Sequence, residues 1–230
     1  DTCDTVIMQE QVVGTEERQT TITIQGNYQC GDHIIPQGEE CVAGTLVIPR
    51  GTEVTSTVQT ILTGLGLTEV IVNVMPRVLV LTSGHEVIEP GESLTPGKIY
   101  NSNRAMICGL LEDLGFHKIT HYHVSDAPEE LESEINHVLK LSEEADIIIS
   151  SGGVSVGLFD TMPLIYEKLG AQSIYARIQM RPGAASYGAV TPKGQIIFGL
   201  SGNPGAAFNG WHLIVAPTLK RYKGLANWTT

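Results

Sequence analysis

The densest run of residues able to do chemistry is Ser-Ser-Gly-Gly-Val-Ser-Val-Gly at 150–157. It follows the apolar run at 146–149 and precedes a helical pattern. Adjacent Gly152 and Gly153 allow a tight turn that leaves amide N–H groups outward, and Ser151 and Ser155 add hydroxyl donors. Such a nest at a helix entrance suits phosphate, carboxylate or another anion. GxGxxG spacing and a Walker lysine are missing, which argues against ordinary dinucleotide and P-loop sites. The same turn can equally serve only as a strand-to-helix connection. Asp160, just beyond it, is either the cap of the next helix or a direct or water-mediated ligand for Mg2+ beside a bound phosphate. Asp126 has the same two options, and capping a helix over 126–144 is the expected one. Arg181, at 179–186 in Gln-Met-Arg-Pro-Gly-Ala-Ala-Ser, offers a planar fork for phosphate or an oxyanion, or is a solvated loop residue. In Gly-Leu-Ser-Gly-Asn-Pro-Gly (199–205), Pro204 fits a helix's first turn, while backbone N–H groups and Asn203 face a crevice or simply form the turn. His85 and Glu86 form a possible acid–base or metal pair, with a surface loop the stronger reading. His121 and His123 share a strand face with no third ligand evident, so strand polarity is expected there rather than metal.

These residues need elements to hold them. Continuous apolar strands are predicted at 77–84 and 145–150, with further strands at 117–124 and 172–179. Helices are predicted at 102–115, stopped by Gly115, then 126–144, 161–170 and 204–222, the last bent or shortened by Pro217. An Asn or Ser at 101–104 should cap the first of these. A hairpin pairs 186–192 with 195–200. The alternation predicts an α/β fold with a parallel sheet covered by helices on both faces. In such sheets ligands bind beyond the carboxyl ends of the strands, which selects the loops at 82–86, 125–126, 150–160, 180–187 and 199–204. Residues 1–75 read as a smaller β-rich part, with strands at 5–10, 18–26, 45–51 and 68–74 and one helix over 52–66. Domains are therefore expected at 1–75 and 76–225.

Composition removes several classes. With 230 residues, 42% hydrophobic and 17% charged, the chain is an ordinary globular mix rather than a disordered one. Its apolar runs fall far short of the about 18–20 residues that span a bilayer. Fourteen Lys+Arg against 25 Asp+Glu give a net charge of −11, which opposes nucleic acid and anionic membrane as partners. Four cysteines without CxxC or metal spacing predict reduced thiols in a cytoplasmic protein. The chain opens without Met directly into a strand-like stretch, and so reads as a segment of something longer.

Taken together, Ser-Gly-Gly-Val-Ser-Val-Gly with Asp160, Met-Arg-Pro-Gly (180–183) and Gly-Leu-Ser-Gly-Asn-Pro (199–204) resemble the molybdopterin-binding domain shared by the MoeA molybdopterin molybdenumtransferases and the E domain of gephyrin. The stretches 4–10, 38–45, 76–86, 96–104 and 124–131 match that family in order, so the resemblance covers nearly the whole chain. It implies insertion of molybdate into adenylylated molybdopterin with release of AMP, assisted by Mg2+, in an elongated homodimer. The adenylyltransferase of the same pathway is an implied partner. The family also carries a segment before this chain begins and a β-domain after it ends, and residues 1–75 would belong to its dimerising arm. By the resemblance, Ser151, Gly152, Gly153, Val154, Ser155, Gly157, Pro182, Gly183, Gly202, Asn203 and Pro204 bind the ligand. Asp160, Arg181, Asp126 and Glu39 serve catalysis, Asp160 as the Mg2+ residue. Glu39 and Asp4 match acids presented by a partner subunit.

Departures cluster on the molybdate side. His85 replaces the family's Asp, Ala184 its second Lys, Ala185 its Pro, Ser201 a Pro and Ala206 a Ser. Losing a charged partner in a dry anion pocket costs a few kcal/mol as a rule, about 2–5. An alternative is therefore a molybdopterin-binding paralogue with impaired transfer that acts as carrier, regulator or scaffold. A single-domain adenylyltransferase of the related branch is a third reading, opposed by the β-rich 1–75.

Overall fold

The computed structural model describes residues 3–13, 21–153 and 161–224. It divides into two compact units, Asp1–Pro49 and Arg50–Thr230. In the smaller unit a short 3-10 turn, Gln9–Gln11, leads into β1 (Val12–Val13), which pairs antiparallel with β2 (Thr23–Ile24). The strands expected at 5–10 and 45–51 do not form, and the one expected from 18 shrinks to Thr23–Ile24 within its described part.

The larger unit opens with α1 (Ser56–Gly64), capped by Thr55, whose side chain accepts from the Val58 N–H. The strand expected at 68–74 is also missing: Ile71 and Val74 lie 105% and 88% exposed. β-Branched composition marks a segment that suits a sheet, but a strand exists only where another strand takes up its N–H and C=O groups. The larger unit continues through β3 (Val78–Ser83), β4 (Val87–Ile88), β5 (Ile99–Tyr100), α2 (Ser102–Asp113), β6 (Ile119–Val124), α3 (Leu131–Ser142) and β7 (Ile147–Ser151). Then come α4 (Thr161–Lys168), β8 (Gln172–Tyr175), β9 (Tyr187–Val190), β10 (Ile196–Leu200) and α5 (Pro204–Gly210). A π-helical turn, Trp211–Val215, joins α5 to α6 (Ala216–Tyr222).

Among the described residues the central sheet has six strands in the order β6-β3-β7-β10-β9-β8. The β6–β3, β3–β7 and β7–β10 pairs are parallel, while β10–β9 and β9–β8 are antiparallel, as the hairpin pattern predicts. Two reversals return β8 to the common direction, so its carboxyl end meets the same rim as those of β3, β6, β7 and β10. The period of two sorts the apolar run of β3 onto two cores. Val78 and Val80 join Ile147, Ile149, Phe198 and Leu200 beneath α2 and the α5–α6 stretch. Leu79 and Leu81 join Ile148 and Ile197 beneath α3 and α4.

Helix boundaries show where local chemistry wins. Asn101 caps α2, its Oδ1 accepting the Arg104 N–H at 3.1 Å. Gly115 ends that helix at φ 80°, with its N–H on Glu112 O and the Phe116 N–H on Leu111 O, the Schellman arrangement. Asp126, by contrast, does not cap α3: that helix begins five residues later, after a turn in which Glu130 N–H bonds Ala127 O. Pro128 disfavours helical geometry at Ala127, and the Asp126 carboxylate accepts from Thr161 instead. Pro217 neither shortens nor breaks the last helix. The π turn just before it widens the ladder, and the helical stretch runs on to Tyr222.

Candidate functional site

The carboxyl rim of the sheet gathers the turns that follow β3, β7 and β10. Ser151 ends β7 fully inside the protein, and its hydroxyl donates to Ser201 O at 3.1 Å. Gly152 follows at φ 90° and Gly153 at φ 60°, a backbone path that L side chains resist. Space is as restrictive as torsion here: a Cβ on Gly152 would lie 2.5 Å from Ser83 O, and one on Gly153 2.9 Å from Ser83 Oγ. Gly202, beyond β10, sits close enough that its Cβ would be 3.5 Å from Gly152 Cα. Three successive crossovers thus deliver three small-residue turns to one place.

The donors of these turns divide into two kinds. Gly152 N–H donates to Leu200 O at 3.2 Å and the Ser151 hydroxyl to Ser201 O, so both tie the turn after β7 to the end of β10. Gly153 and Gly202 N–H groups meet no protein acceptor among the described residues. Asn203 uses its side-chain oxygen to accept the Ala206 N–H, the N-cap of α5, with Pro204 at the helix's first position as expected. Val154, Ser155, Gly157 and Asp160, all singled out from the sequence, lie outside the described residues.

The loop carrying Arg181 leaves β8 at the same rim and docks on α5. Pro182, joined to Arg181 by a cis peptide, offers its carbonyl to Asn209 Nδ2 at 3.3 Å. Gly183 is buried at φ 119°, where a Cβ would stand 3.3 Å from Ala206 O. Arg181 itself is exposed, which fits both the anion-binding and the solvated-loop readings of it. Ala184 and Ala206 are half-buried and buried. Asp126, half-buried after β6, accepts from the Thr161 hydroxyl at 3.1 Å and so ties its turn to the start of α4. Glu39 and Asp4 lie exposed on the smaller unit. His85 is exposed, 3.5 Å from Glu86 Oε2, which fits the surface-loop reading of that pair.

Two residues that the sequence reading passed over sit in the middle of this cluster. Ser83, 6% exposed, has a hydroxyl with no hydrogen-bond partner. Asn103 donates from Nδ2 to Ser151 Oγ and to Gly202 O, both at 2.8 Å, while its Oδ1 has no partner and no water access. Each orphaned atom costs about 1–3 kcal/mol until something bonds it. A signal existed for Asn103: only one of two asparagines two residues apart can cap a helix, which leaves the other for a different task.

Behind the rim runs a polar network. Thr82 Oγ1 accepts from Asn101 Nδ2 at 2.9 Å and meets His121 Nε2 and His123 Nδ1, each at 3.1 Å. A hydroxyl has one proton and two lone pairs. With one lone pair taken by Asn101, one histidine must donate and the other accept, so both cannot be cationic while the network stands. Asn101 also donates to Glu89 Oε1 at 2.8 Å, and Arg104 bridges Glu89 at 2.6 Å. Burial, reinforced by Arg104, lowers the His121 pKa from the ordinary 6.5 to about 4. At Glu89 burial pushes the carboxyl up, but hydrogen bonds from Asn101 and Arg104 and the Arg104 charge outweigh it, and the net direction is down.

The sign of the pH effect follows. The unfolded chain protonates His121 near pH 6.5 and the folded chain resists until about pH 4. Stability from this residue is complete above 6.5 and is lost as pH falls toward 4; the Glu89 contribution is lost below about 4.5. Thermal unfolding midpoints should therefore decline between pH 6.5 and 4.5, and His121→Gln should flatten that limb. An equal decline in the variant would reject the assignment.

Among the described residues no group of three or more His, Cys, Asp or Glu side chains is placed to hold a metal ion, and no helix is long and apolar enough to cross a membrane. All four cysteines are unpaired. A cavity of about 240 Å³ lined by Arg77, His117, Lys118 and Glu144 lies at the opposite, amino-terminal rim, away from these turns.

Comparison with known proteins identifies the family and the fold. A family model described as a probable molybdopterin binding domain matches residues 79–221, and one described as the MoeA N-terminal region (domain I and II) matches residues 1–66. The molybdopterin molybdenumtransferase of Staphylococcus epidermidis is 38% identical over 221 residues, and that of Staphylococcus aureus 37%. Each alignment covers 96% of this chain and 51% of the relative, so the chain spans about half the length of the curated relatives it matches. Two solved structures of the molybdopterin biosynthesis MoeA protein from Pyrococcus horikoshii superpose with TM-scores of 0.75 and 0.70 at 27% and 25% identity. They cover 96% and 99% of this chain and 53% of each solved chain.

Proposed function

The chain belongs to the family of probable molybdopterin-binding domains, and on that premise we propose that it is the pterin-binding half of a molybdopterin molybdenumtransferase. Its ligand is adenylylated molybdopterin. Molybdate is the second substrate, taken up by the dithiolene sulfurs as water cleaves the adenylyl phosphate bond and AMP leaves. The supporting observation is the convergence of the turns after β3, β7 and β10 at one rim, with the Gly153 and Gly202 amides uncommitted there. Arg181, on the loop docked to α5, is the cation available to the anionic groups. No side-chain nucleophile is required, because the dithiolene and water supply the attacking atoms.

Mg2+ needs only one or two protein carboxylates when substrate phosphates complete its shell. Asp126, tethered by Thr161, supplies one such carboxylate at the rim, and Asp160 is the second candidate. The ion would neutralise phosphate charge where the adenylyl group departs. Glu39 would act from a partner subunit in a homodimer, in the cytoplasm, receiving its ligand from the adenylyltransferase of the same pathway. Family-model limits at 66 and 79 support a division near residue 75 into an arm (1–75) and a binding domain (76–225). Contacts within this chain, by contrast, divide it at Pro49 and group α1 with the sheet.

Curated relatives that carry out the transfer favour an active enzyme over an impaired paralogue. The full-length protein should release AMP from adenylylated molybdopterin only when molybdate and Mg2+ are both present. Arg181→Ala should reduce that rate about 100-fold, the scale of one lost anion-stabilising group. Tight ligand binding without AMP release would instead select the carrier reading.

A further inference from the structure

Asn103 occupies a position that its local role does not explain. Asn101 already caps α2, so Asn103, on the first turn, is free of capping duty. Its Nδ2 spends both protons on two different turns, one on Ser151 Oγ and one on Gly202 O. The amide cannot be turned over. That would set Oδ1 against the Gly202 carbonyl, two acceptors at hydrogen-bond distance. The orientation therefore leaves Oδ1 as the unsatisfied atom, and it has neither a protein partner nor water. An acceptor left dry and unpaired is a cost, and the two Nδ2 bonds that join the turns are what it is borne for.

We infer that Asn103 is a positioning residue for the bound ligand: by holding Ser151 Oγ and Gly202 O on one amide, its Nδ2 sets the spacing of the 151–153 and 201–202 turns. This rests on the reading of the site as a molybdopterin cup. It puts the spacing of the Gly153 and Gly202 amides, the uncommitted donors of that cup, under the control of one side chain. Those amides suit the ligand's anionic portion.

The test uses the full-length protein with purified molybdopterin as probe and two variants, Asn103→Ala and Asn103→Asp, their folding checked by thermal unfolding. Asn103→Ala should weaken binding at least tenfold and speed amide exchange at Gly152 and Gly153. Asn103→Asp keeps the acceptor but loses both donors while ionised. Its affinity should be low at pH 8 and recover several-fold toward pH 5, where a protonated carboxyl can again donate to Gly202 O. The wild type should show no such recovery. An asparagine that served stability alone, without setting the turns, would not make affinity follow pH in this way. Failure of the wild type to bind molybdopterin would overturn the site assignment and this inference with it. Wild-type binding matched by both folded variants, or an Asn103→Asp profile parallel to wild type, would overturn the inference alone. If Asn103→Ala does not fold, the Asn103→Asp profile decides.

Discussion

Gly152→Ala should abolish ligand binding and destabilise the larger unit by about 2–4 kcal/mol, the sum of backbone strain and overpacking. Two costs combine at this position. At φ 90° an alanine is strained wherever it is placed, and its methyl would lie 2.5 Å from Ser83 O, a backbone atom that cannot swing aside. Relief requires β3 and the start of the 151–153 turn to separate, which moves Gly153 and breaks the close approach to Gly202. Gly194 provides the control. It lies at φ 83° in the β9–β10 turn with nothing within 4 Å of an added Cβ, so Gly194→Ala carries the torsional cost alone, about 1 kcal/mol. Denaturant midpoints of the two variants, with molybdopterin titration of each, separate the effects. Equal stabilities, or a Gly152→Ala variant that binds normally, would remove the packed-turn account of the rim.

Trp211→Ala should be the costliest single truncation of the core, about 3–5 kcal/mol. Trp211 is 1% exposed and packs in the cluster formed by Phe198, Leu200, Ile107 and Leu111. It is also the first residue of the π turn, so it anchors the stretch whose other end, Asn203–Pro204, forms the rim. Binding should therefore weaken along with stability. Leu213, in the same π turn but 66% exposed, supplies the comparison: Leu213→Ala should stay within about 0.5 kcal/mol of wild type. Chemical denaturation of both variants, followed by a binding assay under conditions where each is folded, is the measurement. A small cost at Trp211 would mean that the helical stretch is held to the sheet by other contacts.

The chain order alone carried much of this protein's design. Apolar runs bounded by Gly and Pro marked β3 and β7 as strands buried on both faces. Strand–helix alternation implied parallel crossovers, and the rule that ligands sit beyond carboxyl ends picked the loops at 150–160 and 199–204. Gly115, Asn101 and Pro204 announced their own capping roles, because a cap depends on torsions and hydrogen bonds within a few residues. Those are local interactions, and sequence records them directly.

What only tertiary structure decided depends on partners far along the chain. Strands at 68–74 and 45–51 fail for lack of a pairing neighbour, which β propensity cannot foresee. Asp126 gives up the cap of α3 because Thr161, 35 residues away, takes its carboxylate. Ser151 ties its turn to the one after β10 because Ser201 O is the acceptor within reach. Ser83 and Asn103 gain their place at the site only when β3, α2 and β7 are brought side by side. A polar atom is orphaned, or a glycine indispensable, by virtue of what the fold sets against it, and that juxtaposition exists only once the crossovers have closed.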